Sequence, residues 1–450
     1  MEALLLHDKG EYADKIIKSI LDKYSYLERF ERSFINRVFN GTIERKLSLD
    51  FVINQYSSVK INKQKPVIRA ILRMSVYQLL YMDSVPDSAV INEAVKLAKK
   101  KKFNGLSGFV NGVLRKIAKE KDNIAYPDRD KNYSEYLSTV YSCPQWLCNH
   151  FISECGEKKA EEVLANSLKE RPVIIRTNIS AIDSDTLRNR LISEAASVTN
   201  VLNGDESIDA FILENIDGLS SLDSFNEGLY LVQDLSSQAV LLGNERKLIG
   251  EMSDDKAVKA MRDVLKNASC IVDVCAAPGG KTCHVADLLK YYGNDKCTVI
   301  SRDVSDLKVD KIDENVERCG FDNVKTEVHD ALVVDEKLSG KADLVIADLP
   351  CSGLGVIGRK TDIKYRIQPD ELEALSNLQK DILRVVSQYV KEGGMLVFST
   401  CTVNKSENYD NAKWVEDEIG FSLVCEPVQV LNDSIEHDGF FISRFVKTNK

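Results

Sequence analysis

Two cysteines sit where chemistry is commonly done. "DLPCSGLG" (Asp348 to Gly355) and "FSTCTVN" (Phe398 to Asn404) each place a cysteine where an apolar run gives way to polar or glycine-rich residues. Most free cysteines are small buried hydrophobes. These two sit differently: Pro350 sets the approach to Cys351, the glycines after it keep the loop open, and Cys401 follows a strand-like "GGMLVFST". A thiol becomes a nucleophile as its thiolate, a form that a nearby cation or helix N-terminus favours. A helix expected from about Ser406 would provide such a field for Cys401. The reaction that calls for such a thiol is methylation of cytosine at C5, a poor nucleophile until a thiolate adds at C6 and divides one hard step into two. A second group must then help remove the C5 proton and free the product, and Asp348 is placed to hydrogen-bond the base edge. On the residues alone, which cysteine attacks stays open, because a proline-cysteine pair is itself a known setting for such a nucleophile.

The methyl donor has its own signature. "DVCAAPGGKT" (Asp273 to Thr282) ends an apolar strand in two glycines that allow a tight turn and close backbone approach, ahead of a helix with free amides. Within this turn neither the G-x-G-x-x-G fingerprint nor the P-loop spacing occurs. Acids end the following strands: Asp303 about twenty residues after the glycines, then Asp330, then Asp348. Carboxylates at successive strand ends suit a ribose diol and a sulfonium cation better than a pyrophosphate. Together with the glycine turn, these three acids read as a site for S-adenosylmethionine.

These residues need a scaffold that brings strand ends together. From residue 270 short apolar strands ("CIVDVC", "CTVISRDV", "VKTEVHD", "ADLVIADLP", "GGMLVFST") alternate with helical stretches near 281 to 291, 306 to 319, 370 to 391 and 406 to 418, the pattern of a parallel sheet covered on both faces. Residues 11 to 119 show helical periodicity throughout and read as six or seven helices. The fold expected is multidomain: an all-α N-terminal domain over 1 to 120, a linker and small α+β segment over 121 to 227, and a C-terminal α/β Rossmann-like domain over 228 to 450. The stretch "NERKLIGEMSDDKAVKAMRDVLKNAS" reads as a surface insertion. Residues 1 to 120 hold 22 Lys+Arg against 13 Asp+Glu, a local +9 within a chain of net −9, so a basic module is set on an acidic body. No 18-residue apolar run is present and the eleven cysteines show no zinc spacing. A cytoplasmic chain is expected, with no membrane partner and no metal, acting as a monomer.

The motifs "CAAPGGK", "DLPCSGLG", "STCT" and "HDGFFISRFVK" resemble those of the RsmB/Sun-type 16S ribosomal RNA cytosine-C5 methyltransferases. The helical start with "FVNGVLRKI" is similar to the NusB-like RNA-binding domain of those enzymes. The resemblance runs over nearly the whole chain. It implies that Cys401 is the nucleophile, that Cys351 assists release, that Cys275, Ala276, Ala277, Pro278, Gly279, Gly280, Lys281, Asp303, Asp330 and Asp348 bind S-adenosylmethionine, and that 16S rRNA is the partner and substrate. The chain departs from the family pattern at Leu349, where alanine is common, and at Thr361 and Tyr365, where proline and tryptophan are frequent. Lys360, Lys364 and Arg366 are expected to reach phosphates and Tyr365 to stack on a base. The alternatives are C5 methylation of a tRNA or 23S rRNA, and a non-catalytic NusB-like RNA-binding factor.

Overall fold

The computed structural model describes residues 1–194, 196–200, 210–214, 216 and 218–448. The chain forms two compact units. The first comprises Met1–Leu168 together with Ile357–Arg366, and the second comprises Lys169–Val356 together with Ile367–Lys450.

The first unit is helical. After a short helix at Glu2–His7 come helices at Ala13–Lys23, Arg29–Glu44, Lys46–Tyr56, Pro66–Tyr81, Asp87–Lys100 and Ser107–Glu120, then Tyr133–Val140 and Gln145–Ser167. Apolar residues at i, i+3, i+4 and i+7, such as Val110, Val113, Leu114 and Ile117, face one shared core with Ile68, Ile71, Leu72, Leu49 and Val52. Pro66 occupies the first helical turn, where its missing N–H costs nothing.

The segment 357–366 lies in this unit, far from its sequence neighbours in character. The Ala13 amide donates to Asp362 Oδ2 at 3.1 Å, and Arg366 donates to Asp362, Gly10 O and Glu11 O. Lys364 is 2 % exposed. The Tyr365 hydroxyl lies 2.9 Å from Glu44 O and 2.9 Å from Ser142 O, with the Lys46 and Lys364 ammonium groups over its ring at 5.2 and 5.4 Å. This corrects the reading of the segment as a phosphate-contacting loop. Tyr365, Lys364 and Arg366 are committed to packing inside the helical unit, and of the four only Lys360 is exposed.

The second unit holds two sheets. In the smaller, β1 (Val173–Thr177), β2 (Ser197–Asn200), β3 (Ala210–Glu214) and β4 (Tyr230–Val232) run antiparallel in the order β2-β3-β1-β4. The larger contains β5 (Cys270–Asp273), β6 (Thr298–Asp303), β7 (Val324–Val328), β8 (Ala342–Asp348), β9 (Val390–Thr400), β10 (Phe421–Leu423), β11 (Val428–Val430) and β12 (Phe440–Lys447). Its order is β10-β12-β9-β8-β5-β6-β7, with β11 paired to β12. Strands β5 to β9 are parallel, while β12 inserts antiparallel beside β9, so the sheet is mixed where a parallel one was expected. Both faces are covered. Leu344 and Ile346 pack to one side with Leu241, Met261 and Val285, and Val345 and Ala347 to the other with Leu383 and Val386.

The expected surface insertion is part of this core. The helix Asp255–Asn267 buries Ala257, Met261 and Leu265, and Glu245 forms a buried pair with Arg444. Its charged residues occupy the opposite face of an amphipathic helix, which is why composition alone makes it look superficial.

Candidate active site

The register of the sheet creates the site. In the parallel pairing of β8 with β9, Asp348 stands opposite Ser399, whose Oγ donates to Asp348 Oδ1 at 2.9 Å, and the Leu349 amide donates to Ser399 O at 3.0 Å. Cys351 and Cys401 therefore leave neighbouring strands at the same level, and their Sγ atoms lie 3.3 Å apart. No disulfide joins them. Strand β12 flanks the other side of β9, with Phe441 opposite Thr400.

Five further contacts hold the cysteine loops. The Gly355 amide donates to Cys401 O at 3.0 Å and the Gly439 amide to Gly355 O at 2.9 Å, so the Cys351 loop, the Cys401 loop and the "HDGFF" segment are laced together by main chain. The Ser352 hydroxyl lies 2.7 Å from Thr402 Oγ1. Asn408 accepts from Thr400 Oγ1 at 2.6 Å and donates to Thr402 O at 3.0 Å, straddling Cys401. The helix expected from about Ser406 begins only at Tyr409, running as α-helix to Trp414 and as a π-helical turn over Val415–Ile419, so side-chain bonds rather than a helix N-terminus organise this loop.

Electrostatics separate the members of the site. The hydrogen bond with Cys401 and then burial push the Cys351 thiol well above its ordinary value, with the Glu407 charge acting in the same direction. Cys351 is therefore a protonated thiol at neutral pH. Lys281, 9 % exposed along its side chain, donates to Asp348 Oδ2 at 2.6 Å and to Ser237 Oγ at 3.1 Å, and its ammonium lies 5.0 Å from the centre of the Phe440 ring. The structure thus groups Lys281 with Asp348 and the cysteine rim.

The glycine loop hangs between β5 and its neighbours. The Val274 amide donates to Ile346 O and the Ala276 amide to Arg302 O. Gly279 adopts φ +100°, and a Cβ there would stand 3.3 Å from Ile312, so the turn suits glycine on both counts. Asp303 Oδ2 accepts from the Ala277 amide at 3.0 Å, and Oδ1 accepts from Val304 N and Lys308 Nζ, each at 2.8 Å. Asp330, after β7, is exposed and accepts from Leu332 N at 3.0 Å. Asp273 is fully buried: Thr282 Oγ1 donates to its Oδ2 at 2.7 Å, while Oδ1 has no hydrogen-bond partner among the described residues. Burial pushes the Asp273 carboxyl up to about 7, and burial also raises Cys275. An open glycine turn, a helix start and carboxylates at the ends of β6 and β8 fit the hydroxyls and sulfonium of S-adenosylmethionine. Among the described residues no cluster of His, Cys, Asp or Glu has the make-up of a metal site, and no helix is long and apolar enough to cross a membrane.

Ser237, Ser399, Ser352, Phe440 and Glu407 complete the surroundings, and none of them stands out in the sequence. Phe440 falls within the "HDGFF" motif, the one signal that could have found it. The serines and Glu407 are marked by pairings across 28 to 55 residues, which no local pattern reveals.

Fold and site define an S-adenosylmethionine-dependent methyltransferase with a Rossmann-like sheet and a helical N-terminal domain. The family profile described as 16S rRNA methyltransferase RsmB/F matches residues 262–446, and that of the NusB family matches residues 2–119. The chain is 33 % identical over 411 residues to the probable ribosomal RNA small subunit methyltransferase B of Bacillus subtilis, covering 91 % of this chain and 85 % of that one. It is 25 % identical to the ribosomal RNA small subunit methyltransferase B of an Escherichia coli strain, covering 98 % and 95 %. The crystal structure of NSun6 from Pyrococcus horikoshii with SFG superposes with a TM-score of 0.56 at 20 % identity, covering 68 % of this chain and 99 % of that one. The chain belongs to the RsmB/F family of 16S rRNA methyltransferases.

Proposed function

We propose that the protein methylates C5 of one cytosine in 16S rRNA through a covalent adduct at Cys401. The observation that carries this reading is the pair of thiols 3.3 Å apart at the ends of β8 and β9, beside the Lys281–Asp348 ion pair. A methyltransferase that only positioned an amine for transfer would have no use for two adjacent thiols.

The residues divide the work. Cys401 Sγ adds to C6 of the base, and the electron density gained at C5 makes that carbon nucleophilic. Asp348 accepts a hydrogen bond from the exocyclic amine, and the Lys281 ammonium beside it orients the carboxylate. When bound, S-adenosylmethionine supplies the methyl group from its sulfonium. After transfer, the C5 proton leaves to a base, the C5–C6 double bond re-forms, and the electron pair of the C6–S bond returns to Cys401 Sγ. Cys351, held as a thiol beside that sulfur, donates a hydrogen bond to the departing thiolate. Cys275 to Lys281, with Asp303, Asp330 and Asp348, would hold the cofactor. The relatives named for small-subunit rRNA and the basic N-terminal unit support rRNA as the substrate.

Bisulfite sequencing of 16S rRNA from cells with and without the gene tests the proposal. One protected cytosine should become converted in its absence. An unchanged 16S profile would overturn the choice of substrate.

A further inference from the structure

Glu407 is fully buried, yet four neutral donors meet its carboxylate. Oε2 accepts from the Ser352 amide at 2.9 Å and from Gln379 Nε2 at 3.0 Å, and Oε1 accepts from Ser352 Oγ at 2.5 Å and from Asn404 Nδ2 at 2.9 Å. Ser352 is the residue after Cys351, and Asn404 closes the Cys401 loop. Gln379, on the helix Pro369–Val386, also donates to Pro350 O at 2.9 Å, the residue before Cys351, and accepts from Asn411 at 2.8 Å. One carboxylate thus ties together both sides of the thiol pair. Burying such a charge is costly unless every lone pair is satisfied. A glutamine could not replace it without cost, because either amide orientation turns an NH2 toward two donors.

We propose that Glu407 is a positioning residue that holds Cys351 in register with Cys401 and so governs departure of the product, an inference that rests on the roles given above to the two cysteines. Its charge adds a second effect. Cys401 and Glu407 act on the Cys351 thiol against its ionisation and the Gly353 backbone acts for it, so a carboxylate there disfavours the thiolate of Cys351. Glu407 thereby adds to the Cys401 hydrogen bond and burial in keeping on Cys351 the proton with which it hydrogen-bonds the departing sulfur.

The test compares Glu407→Gln, Glu407→Asp, Cys351→Ala and the double variant Glu407→Gln/Cys351→Ala in the full-length protein. Each is incubated with a 16S rRNA fragment and S-adenosylmethionine, and the rates of formation and decay of the denaturation-resistant protein–RNA adduct are followed. Glu407→Gln should form the adduct at close to the wild-type rate and release it more slowly, on the order of a hundredfold for a displacement of about 1 Å. The double variant should be no slower than Cys351→Ala. In RNA-free protein, alkylation of Cys351 read by mass spectrometry should shift to lower pH in Glu407→Gln and stay in place in Glu407→Asp, which keeps the charge. Should Glu407→Gln not fold, Glu407→Asp carries the test: slowed release with an unmoved alkylation profile supports the role. Release at the wild-type rate, or a double variant slower than Cys351→Ala by the full factor that Glu407→Gln produces alone, overturns it. Failure of Cys351→Ala itself to accumulate adduct would instead sink the assignment of the cysteines, whatever Glu407→Gln does.

Discussion

Gly355 is the point where a single methyl group should do the most damage. A Cβ built there stands 2.0 Å from Gly439 O and 2.8 Å from Cys401 O, both main-chain atoms. Reaching an ordinary separation of 3.4 Å requires Gly439 O to retreat by 1.4 Å, the difference between 3.4 and 2.0 Å, and Cys401 O by 0.6 Å. Those movements strain or break the bonds Gly355 N to Cys401 O and Gly439 N to Gly355 O. Overpacking costs about 1–3 kcal/mol and each broken hydrogen bond about 1 kcal/mol, so Gly355→Ala should lose roughly 2–5 kcal/mol of stability. A shift of the nucleophile by about 1 Å lowers turnover on the order of a hundredfold. Transfer of labelled methyl groups to a 16S rRNA fragment measures kcat, and calorimetry measures cofactor affinity. Cofactor affinity should hold, because the glycine loop is anchored on β6 and β8 through Arg302 O and Ile346 O rather than on Gly355. A Gly355→Ala protein with wild-type kcat and melting temperature would refute this account of how the loops are held.

Two further predictions concern charge. Asp273 has its carboxyl pushed from 3.8 to about 7 by burial, so between about pH 4 and 7 the folded state binds a proton that the unfolded state does not, and stability falls as pH rises through that window. Thermal melts should show wild type losing ground to Asp273→Asn from pH 4 to 7, by up to about 1.4 kcal/mol per pH unit, and a pH-independent difference would refute it. Lys99, Lys100 and Lys102 are exposed on the N-terminal unit. If they meet phosphates, replacing all three with Gln should flatten the slope of log K against log salt by roughly 0.7–0.9 for each phosphate no longer neutralised, whereas an unchanged slope would make them a merely solvated face.

The parts of the site that sequence revealed are those written in local runs. The strands β8 and β9 are apolar stretches that end in "DLPC" and "STC", and the glycine turn and Asp303 follow a strand-turn-helix pattern. The N-terminal helices are equally legible from their 3.6-residue spacing. What escaped is set by pairings distant in sequence. Tyr365 reads as an exposed aromatic among basic residues, yet its hydroxyl bonds to Glu44 O, 321 residues away. Glu407 reads as one acid in "KSENYD", and only its bond to Ser352, 55 residues away, shows it buried between the cysteine loops. The helix Asp255–Asn267 carries enough charge on its outer face to hide Met261 and Leu265, which reach the core beneath. The antiparallel β12 is legible as a motif but not as a strand, and it is the strand that brings Phe440 under Lys281.

The division of labour between the two thiols is tested most directly by trapping the enzyme on its substrate. Cys351→Ala and Cys401→Ala proteins are incubated with 16S rRNA and S-adenosylmethionine, denatured, and resolved by electrophoresis. A protein–RNA adduct that survives denaturation should accumulate with Cys351→Ala and be absent with Cys401→Ala. An adduct that accumulates with Cys401→Ala and is absent with Cys351→Ala would make Cys351 the nucleophile and contradict the mechanism.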